Sequence, residues 1–440
     1  MAFKNILPPV YTICSMYIKN IGILFIWFGC LTLSQSARAQ TATDTVSITV
    51  KQAEGQFIKN NLSLIINHYN IDNASAQLIT ARLFNNPNFN FANGIYANNV
   101  TAGPAYNEQS YGISQLLTTA GKRNKNIQLA KLGITQSRYQ FFDLLRTLKF
   151  TLRNDFYTIY YQQQSAKVYN EEISSLERIL VVFKEQYAKG NIAQKEVLRI
   201  QSQLYALQTE YNNLIIGIDT TESELKMLIK AAPDSYVMPV ANYEDVKESV
   251  TTTPYKQLLD SAYANRYDLK NAKATVNYNT VNLALQKATA VPDVSFSLSY
   301  DKFGGFNNNY LAGGIEFNLP FFNRNQGAIK QARIAVDQSK VQLQSQQDQL
   351  EMDLATTYKG ALRLENLYNG FDPEFKHDFT HLIQEVFKNY QKRNIGLLEF
   401  LDFYDSYKNN LLQLNALQLS KVTSLEQLNF ITGTPFFNQQ

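Results

Sequence analysis

Two acidic residues near the end of the chain have the spacing of a cation-binding pair. Glu399 and Asp402 stand three residues apart at the predicted start of a helix, so both carboxylates lie on one face of it. If several copies of the chain share an axis, each acid becomes a ring of like charges that attracts cations and repels anions. The alternative is that both acids only stabilise the helix N-terminus through its dipole.

The remaining reactive side chains form no site for catalysis or for a bound metal. The Gly-Lys pair at Gly121 lacks the Ser or Thr that a phosphate-binding loop needs. His377 and His381 have the spacing of a zinc-binding helix, but histidines spaced in this way are more often surface or packing residues. We therefore predict that the chain is not an enzyme and that it binds no cofactor and no metal.

The composition is that of a folded chain with long elements. The 440 residues are 45% hydrophobic and carry a formal net charge of +4. So many apolar residues exclude a disordered chain, and so small a net charge excludes a nucleic-acid binder. Proline is scarce, with 11 residues, which favours long uninterrupted elements over many short turns.

Residues 1–39 have the organisation of a secretory signal peptide. Lys4 and Lys19 precede an apolar run over residues 21–33, and an Ala-Arg-Ala sequence ends at Ala39. The run is shorter than the about 20 residues of a membrane-spanning helix, which favours a cleaved leader over an uncleaved anchor. Its removal would also remove both cysteines and exclude thiol chemistry from the mature chain.

The rest of the chain contains an internal repeat of two similar halves. We predict a first structural repeat over residues 40–240 and a second over residues 241–440, with prolines clustered near the boundary. Several residues reappear 203 positions later, and the clearest matches are Tyr187 with Tyr390, Asn191 with Asn394, Ile192 with Ile395, Leu198 with Leu401, and Leu225 with Leu428. An internal repeat of this length predicts two copies of one structural unit.

Long helical hairpins dominate both repeats. Apolar residues recur every seven positions, as in Leu145, Leu152, Ile159, Ala166, Ile173 and Leu180, which is the pattern of supercoiled helices. The helix predicted from Arg123 to Lys189 would be about 100 Å long. Its hairpin turns near residue 190 and that of the second repeat near residue 394, and Pro373 predicts a break near Gly370. Taken alone, this pattern also fits a coiled-coil spacer.

A β-hairpin precedes the long helix of each repeat, at residues 87–118 and 292–320. Val294, Phe296 and Leu298 alternate with polar residues, which is typical of strands in a membrane β-barrel. The alternative is a pair of hairpins packed on helices. Four strands cannot close a membrane barrel, because about eight is the smallest number and open edges are unstable in lipid. A membrane-spanning barrel therefore needs strands from several chains. The sequence alone does not determine how many chains take part.

With these features the chain resembles the TolC family of outer-membrane efflux proteins, especially its heavy-metal and multidrug branch. The resemblance covers nearly all of the chain after residue 39. It rests on the double repeat and on three motifs in order, which are Tyr187-Ala188-Lys189-Gly190-Asn191-Ile192, Leu319-Pro320-Phe321-Phe322-Asn323-Arg324 and Tyr390-Gln391-Lys392-Arg393-Asn394-Ile395.

The resemblance implies a fold that is mainly α with a membrane β-barrel. In a homotrimer, the long helices would form an α-barrel tunnel across the periplasm, and four strands per chain would form a shared 12-stranded barrel in outer-membrane lipid. A periplasmic adaptor, or membrane fusion protein, and an inner-membrane transporter of the RND type would feed it.

The resemblance also implies roles for named residues. Glu399 and Asp402 match acidic residues that line the family's periplasmic constriction, and Tyr390 matches a tyrosine of its gate network. The first acid is Glu where the family has Asp, and Ile395 stands in the stretch where a basic residue is expected. The tips that would contact the adaptor are Gly190, Asn191, Ile192, Arg393, Asn394 and Ile395. For the two isoleucines, ordinary core packing is an equal alternative.

We therefore expect a passive exit duct of a tripartite efflux system, located in the outer membrane and extending into the periplasm. It would export small molecules or metal ions. One alternative is a non-transporting periplasmic coiled-coil protein, and another, within the duct hypothesis, is an outlet for type I secretion. The choice of cargo would be made by the pump, so the chain itself carries little information about it.

Overall fold

A computed structural model describes residues 45–94, 109–241, 249–303, 307–371, 374–392 and 394–437. The predicted leader and the predicted tip residue Arg393 lie outside the described residues. The first part of the chain forms β1 (Thr45–Ile48), α1 (Val50–Asn60), α2 (Leu62–Arg82), β2 (Asn88–Asn93), β3 (Gln109–Leu117), α3 (Lys122–Ala188), α4 (Gln194–Ile229) and β4 (Tyr236–Pro239).

The second part of the chain repeats the order of two helices, two strands and then long helices. After a short 3-10 turn (Val250–Thr252) come α5 (Tyr255–Asn265), α6 (Tyr267–Thr289), β5 (Val294–Phe303), β6 (Asn308–Phe317), α7 (Gln326–Asn369), α8 (Phe375–Gln391) and α9 (Leu397–Thr432). The continuous helix predicted in the first part is α3, and the predicted break in the second falls between α7 and α8.

The four strands β2, β3, β5 and β6 form one antiparallel sheet in that order. Its first face is apolar, because Phe89 lies opposite Ile113, and Ile113 lies opposite Leu298. The centre of its second face carries small residues, since Ser114 lies opposite Ser297, and Ser297 lies opposite Gly314. The crowding on this face is tight, because a Cβ atom on Gly314 would lie 2.7 Å from the Ser297 hydroxyl oxygen.

Helices α2, α3, α6 and α7 lie side by side below the sheet, and α4 and α9 return along them. The heptad positions explain this packing, because Leu152 and Ile159 of α3 are fully buried. None of the described helices carries an apolar stretch long enough to cross a membrane. The heptad residues of each long helix therefore pack against neighbouring helices, and the helices form one layer.

A buried ion-pair network ties three helices together. The guanidinium of Arg153 in α3 donates to both carboxylate oxygens of Glu426 in α9, at 2.7 and 2.8 Å. It also donates to Glu54 in α1 at 2.7 Å, and Lys149 reaches the second oxygen of Glu54 at 2.9 Å. Since both partners of the Arg153–Glu426 pair are buried, this network is a structural element of the bundle and not a surface contact.

Polar residues on the long helices also hold the segments that connect the repeats. β1 pairs with β4 in parallel, and Glu222 and Gln163 bond the backbone of Val237 in β4 at 2.8 and 3.0 Å. In the second repeat, Glu365 accepts a hydrogen bond from the backbone N–H of Val250 at 2.8 Å. The two repeats thus use carboxylates and an amide on long helices to fix their connecting segments.

Candidate gate and helical tips

The two helical hairpins end in turns of the same construction. Asn191 donates its backbone N–H to the carbonyl of Gln186 and its side-chain amide to the Gln186 side chain, at 2.9 and 2.7 Å. Asn394 makes the same two bonds to Asn389, at 2.9 and 3.0 Å. In the first turn Gly190 has a φ of +74°, a backbone conformation that favours glycine. The repeat seen in the sequence therefore extends to the hydrogen bonds of both tips.

The tip residues differ in their exposure. Gly190, Asn191 and Asn394 are exposed, whereas Ile192 and Ile395 are partly buried. Both isoleucines pack against an apolar cluster of the two hairpins that includes the buried Phe400. Both isoleucines thus share their surface between this cluster and the outside, and their contact with an adaptor stays a prediction.

Tyr390 lies in an aromatic stack that joins the hairpins. Its ring stacks on Phe400 of α9 at 4.6 Å between centroids and on Phe183 of α3 at 6.1 Å. Burial, with a smaller contribution from the nearby Glu196 carboxylate, raises the pKa of Tyr390 to about 12. The hydroxyl therefore stays protonated in the physiological range and remains a hydrogen-bond donor.

Glu399 and Asp402 are exposed on the first turns of α9. Phe400 between them is fully buried, so the two acids flank the helix face that packs inward. Neither acid has an ion pair among the described residues, and the N-terminal residue of α9 has no side-chain cap. The pair is thus available as a charged surface, and its role in a gate stays a prediction.

A charged cluster that the sequence analysis did not identify joins α4 and α9. Lys408 is buried, and its ammonium lies 3.2 Å from Glu210 of α4 and 3.1 Å from Asp405. Its position was visible as a lysine seven residues after Leu401, where the heptad pattern calls for an apolar residue. The partner Glu210 is 198 residues away along the chain, which no local pattern reveals.

Glu172 of α3 is buried beside this cluster, and both its burial and the nearby charges shift its pKa. Burial is the largest influence and raises its pKa from 4.5 to about 8, with Asp405 and Glu171 acting in the same direction and Lys408 opposing them. Between these two pH values the folded protein holds a proton that the unfolded chain releases. Stability contributed by this group is therefore lost as the pH rises from about 4.5 to about 8.

The variant Glu172→Gln should remove this loss, because glutamine has no proton to release. We expect the variant to be more stable than the wild type at pH 9 by roughly 5 kcal/mol, and equally stable near pH 4.5. Thermal denaturation of the detergent-purified protein at pH 5, 7 and 9 measures the difference. The neighbouring Glu171→Gln is the matched control, because Glu171 is exposed and should show a much smaller pH dependence. Parallel behaviour of the two variants would contradict the prediction.

Only one histidine of the pair, His381, has a described side chain. His381 is exposed, and Glu385 beside it forms an ion pair with Lys388 at 2.7 Å. Within the ranges that the structure covers, no group of His, Asp and Glu is placed to hold a metal ion. The side chain of His377 lies outside the described part of the chain.

The family model that matches this chain, and solved structures similar to it, are of outer membrane proteins. Residues 258–434 match the model of the outer membrane efflux protein family. Among solved structures, the CmeC outer membrane channel of Campylobacter jejuni is similar with a TM-score of 0.73 and 14% identity, covering 89% of this chain and 87% of that one. CusC follows with a TM-score of 0.72 and 16% identity, covering 90% of this chain and 96% of that one.

The outer membrane protein VceC of Vibrio cholerae is also similar, with a TM-score of 0.68 and 16% identity, covering 88% of this chain and 96% of that one. No curated protein sequence matches the chain. The fold class predicted from the sequence, long helices combined with four strands per chain, is confirmed by these channel structures.

Proposed function

We propose that the chain belongs to the outer membrane efflux protein family, whose passive channels lie in the outer membrane and extend into the periplasm, and that it is the exit duct of a tripartite efflux system. It acts as a channel and not as an enzyme. In this proposal residues 1–39 are a removed leader, and the two repeats together build one third of a homotrimeric duct.

The observation that carries this proposal is a sheet with two open edges. In the described part of the chain, β2 and β6 each have a neighbour on one side only. An apolar sheet face with unpaired edges is unstable in lipid, so each β6 must find the β2 of another copy. Three chains close a ring of twelve strands, which exceeds the smallest known membrane barrels of about eight.

The edge helices support the same closure. Ile66 and Tyr69 of α2 are exposed in the single chain, as are Ile334 and Val341 of α7. Since α2 leads into the edge strand β2 and α7 continues from the edge strand β6, ring closure would bring these apolar residues together. Exposed apolar stripes of this kind mark surfaces that are covered in an assembly.

The far ends of the hairpins are the proposed contact with the rest of the system. The exposed tip residues Gly190, Asn191 and Asn394 would meet the helical hairpin of a periplasmic adaptor, which couples the duct to an RND-type inner-membrane transporter. Glu399 and Asp402 would form acidic rings just above these tips. The cargo, small molecules or metal ions, would be selected by the pump.

Growth of a deletion strain across metals, detergents, dyes and antibiotics tests this function. We expect sensitivity to at least one class of compound, with resistance restored by a plasmid copy of the gene. A second plasmid should carry Lys189→Glu and Lys392→Glu, which reverse exposed charges at both tips. This variant should reach the membrane as a trimer and restore less resistance, since adaptor coupling depends on the tips.

Other outcomes decide between the alternatives. Loss of a secreted protein from the medium, without drug or metal sensitivity, would favour a type I secretion outlet. Extraction of the protein by salt and without detergent would favour a periplasmic coiled-coil protein. Full resistance restored by the tip variant would argue against adaptor contact at these turns.

A further inference from the structure

Basic residues are concentrated where the helices meet the sheet. Helix α3 carries Lys122, Arg123 and Lys125 in its first turn and has no acidic residue before Asp143. Helix α7 likewise follows Arg324 and carries Lys330 and Arg333 before Asp337. The whole chain has a net charge of only +4. The junction of helices and sheet therefore carries an excess of positive charge, which acidic residues elsewhere in the chain offset.

Most of this charge is unneutralised. The ammonium of Lys122 pairs with Asp293 at 2.8 Å. Arg82, Arg123 and Arg324 have no ion pair among the residues that the structure describes. Arg123 instead donates from Nε to the carbonyl of Arg82 at 3.2 Å and lies over the ring of Phe84, 4.1 Å from its centroid.

Large apolar side chains are exposed at the same level. Phe322 is 95% exposed and Phe84 is 71% exposed, and Leu83, Leu319 and Phe321 are also exposed. Leu319 continues the alternation of Ile315 and Phe317, so this patch extends the apolar face of the sheet beyond its last strand residue. Aromatic residues in this position are typical of the boundary between hydrocarbon and headgroups.

We propose that Arg82, Arg123 and Arg324, here called the basic collar, bind anionic phospholipid headgroups of the periplasmic leaflet of the outer membrane. Phe84, Phe321 and Phe322 would enter the boundary layer, and the guanidinium groups beside them would bond phosphate oxygens through paired N–H donors. The positive charge of the collar complements anionic headgroups, and the apolar patch beside it continues the apolar face of the sheet. Both features favour a membrane surface as the binding partner. The inference goes beyond the exit-duct proposal and depends only on the sheet lying in the membrane.

Ring closure would make the collar continuous. Arg324 and Phe322 lie at the β6 edge, and Arg82 and Phe84 lie at the β2 edge that would pair with it. Adjacent copies would therefore place these residues side by side around the whole circumference. The same lipid class would then contact every chain of the assembly.

Native mass spectrometry of the full detergent-purified protein tests the collar. The protein is titrated with phosphatidylglycerol and, separately, with phosphatidylethanolamine of identical acyl chains. Each basic residue near an anionic surface contributes about a fivefold gain in affinity, so we expect phosphatidylglycerol to bind at least tenfold more tightly. The variant with Arg82, Arg123 and Arg324 all changed to Gln should bind both lipids within about twofold.

Two further variants separate lipid binding from general charge and from folding. A control with Arg138, Lys273 and Lys340 changed to Gln removes the same charge from exposed positions about 20 Å along the helices, and it should keep the preference. Changing the collar to three lysines keeps the charge and should also keep the preference. Equal binding of both lipids by the wild type, or equal loss in the collar and control variants, would overturn the proposal.

Discussion

Substitution of Arg153 by methionine should lower the free energy of unfolding by about 3–5 kcal/mol, the largest stability loss that we expect from one ion-pair residue of this chain. The side chains of Arg153 and Glu426 are only 8% and 3% exposed, so the Glu426 carboxylate cannot recover full hydration when the guanidinium is removed. The substitution also removes the bond to Glu54, so that α1 and α9 no longer share one guanidinium of α3.

Chemical denaturation of the purified protein, followed by far-ultraviolet circular dichroism, measures this loss. Lys149→Met is the matched control, because Lys149 pairs with the same Glu54 but is 43% exposed and should cost at most about 1 kcal/mol. The double variant Arg153→Met with Glu426→Leu should recover part of the loss, because it leaves no buried charge behind. Similar losses for Arg153→Met and Lys149→Met would contradict the prediction.

The second large effect concerns the acidic pair at the start of α9. In the proposed trimer, Glu399→Gln together with Asp402→Asn removes every carboxylate of two rings while keeping the side-chain shapes. We expect block of single-channel current by Mg²⁺ to require at least about tenfold higher concentrations, because the attraction between the rings and the cation is lost. Planar-bilayer recording of the two proteins at low ionic strength provides the measurement.

The internal repeat offers a matched control for this experiment. Glu196 occupies the position of Glu399 in the first repeat, but Arg199 stands where the second repeat has Asp402. A ring built from Glu196 is therefore accompanied by a ring of opposite charge, and Glu196→Gln should change Mg²⁺ block by less than about twofold. Unaltered block in the double variant would show that Glu399 and Asp402 act only on the helix terminus.

The sequence predicts the elements of this fold well because their patterns are local. Heptad spacing and the turn at Gly190 bound α3 to within one residue at each end, since the helix runs from Lys122 to Ala188. Alternation places Phe296 and Leu298 on the apolar face of the sheet, as observed. Pro373 predicts a break near Gly370, and α7 ends at Asn369.

The interior of the helical bundle is less predictable from one sequence. Glu172 lies one position before the heptad residue Ile173, and nothing in its neighbours shows that α9 buries it. Lys408 and Arg153 are long charged residues that single-sequence patterns assign to the surface, yet partners from other helices accompany them into the interior. Which apolar tip residues point outward also depends on how two hairpins meet, as Ile192 and Ile395 show.

The small residues on the second face of the sheet have a consequence for electrical resistance. Ser114, Ser297 and Gly314 add almost nothing to the thickness of the wall, so the bore of a closed ring is set by the number and tilt of its strands. A wide bore contributes little series resistance, and single substitutions on this face change it only slightly. In the proposed duct such a barrel would pass whatever reaches it, and any filtering would fall to the opposite end, where the proposed gate residues Glu399 and Asp402 lie.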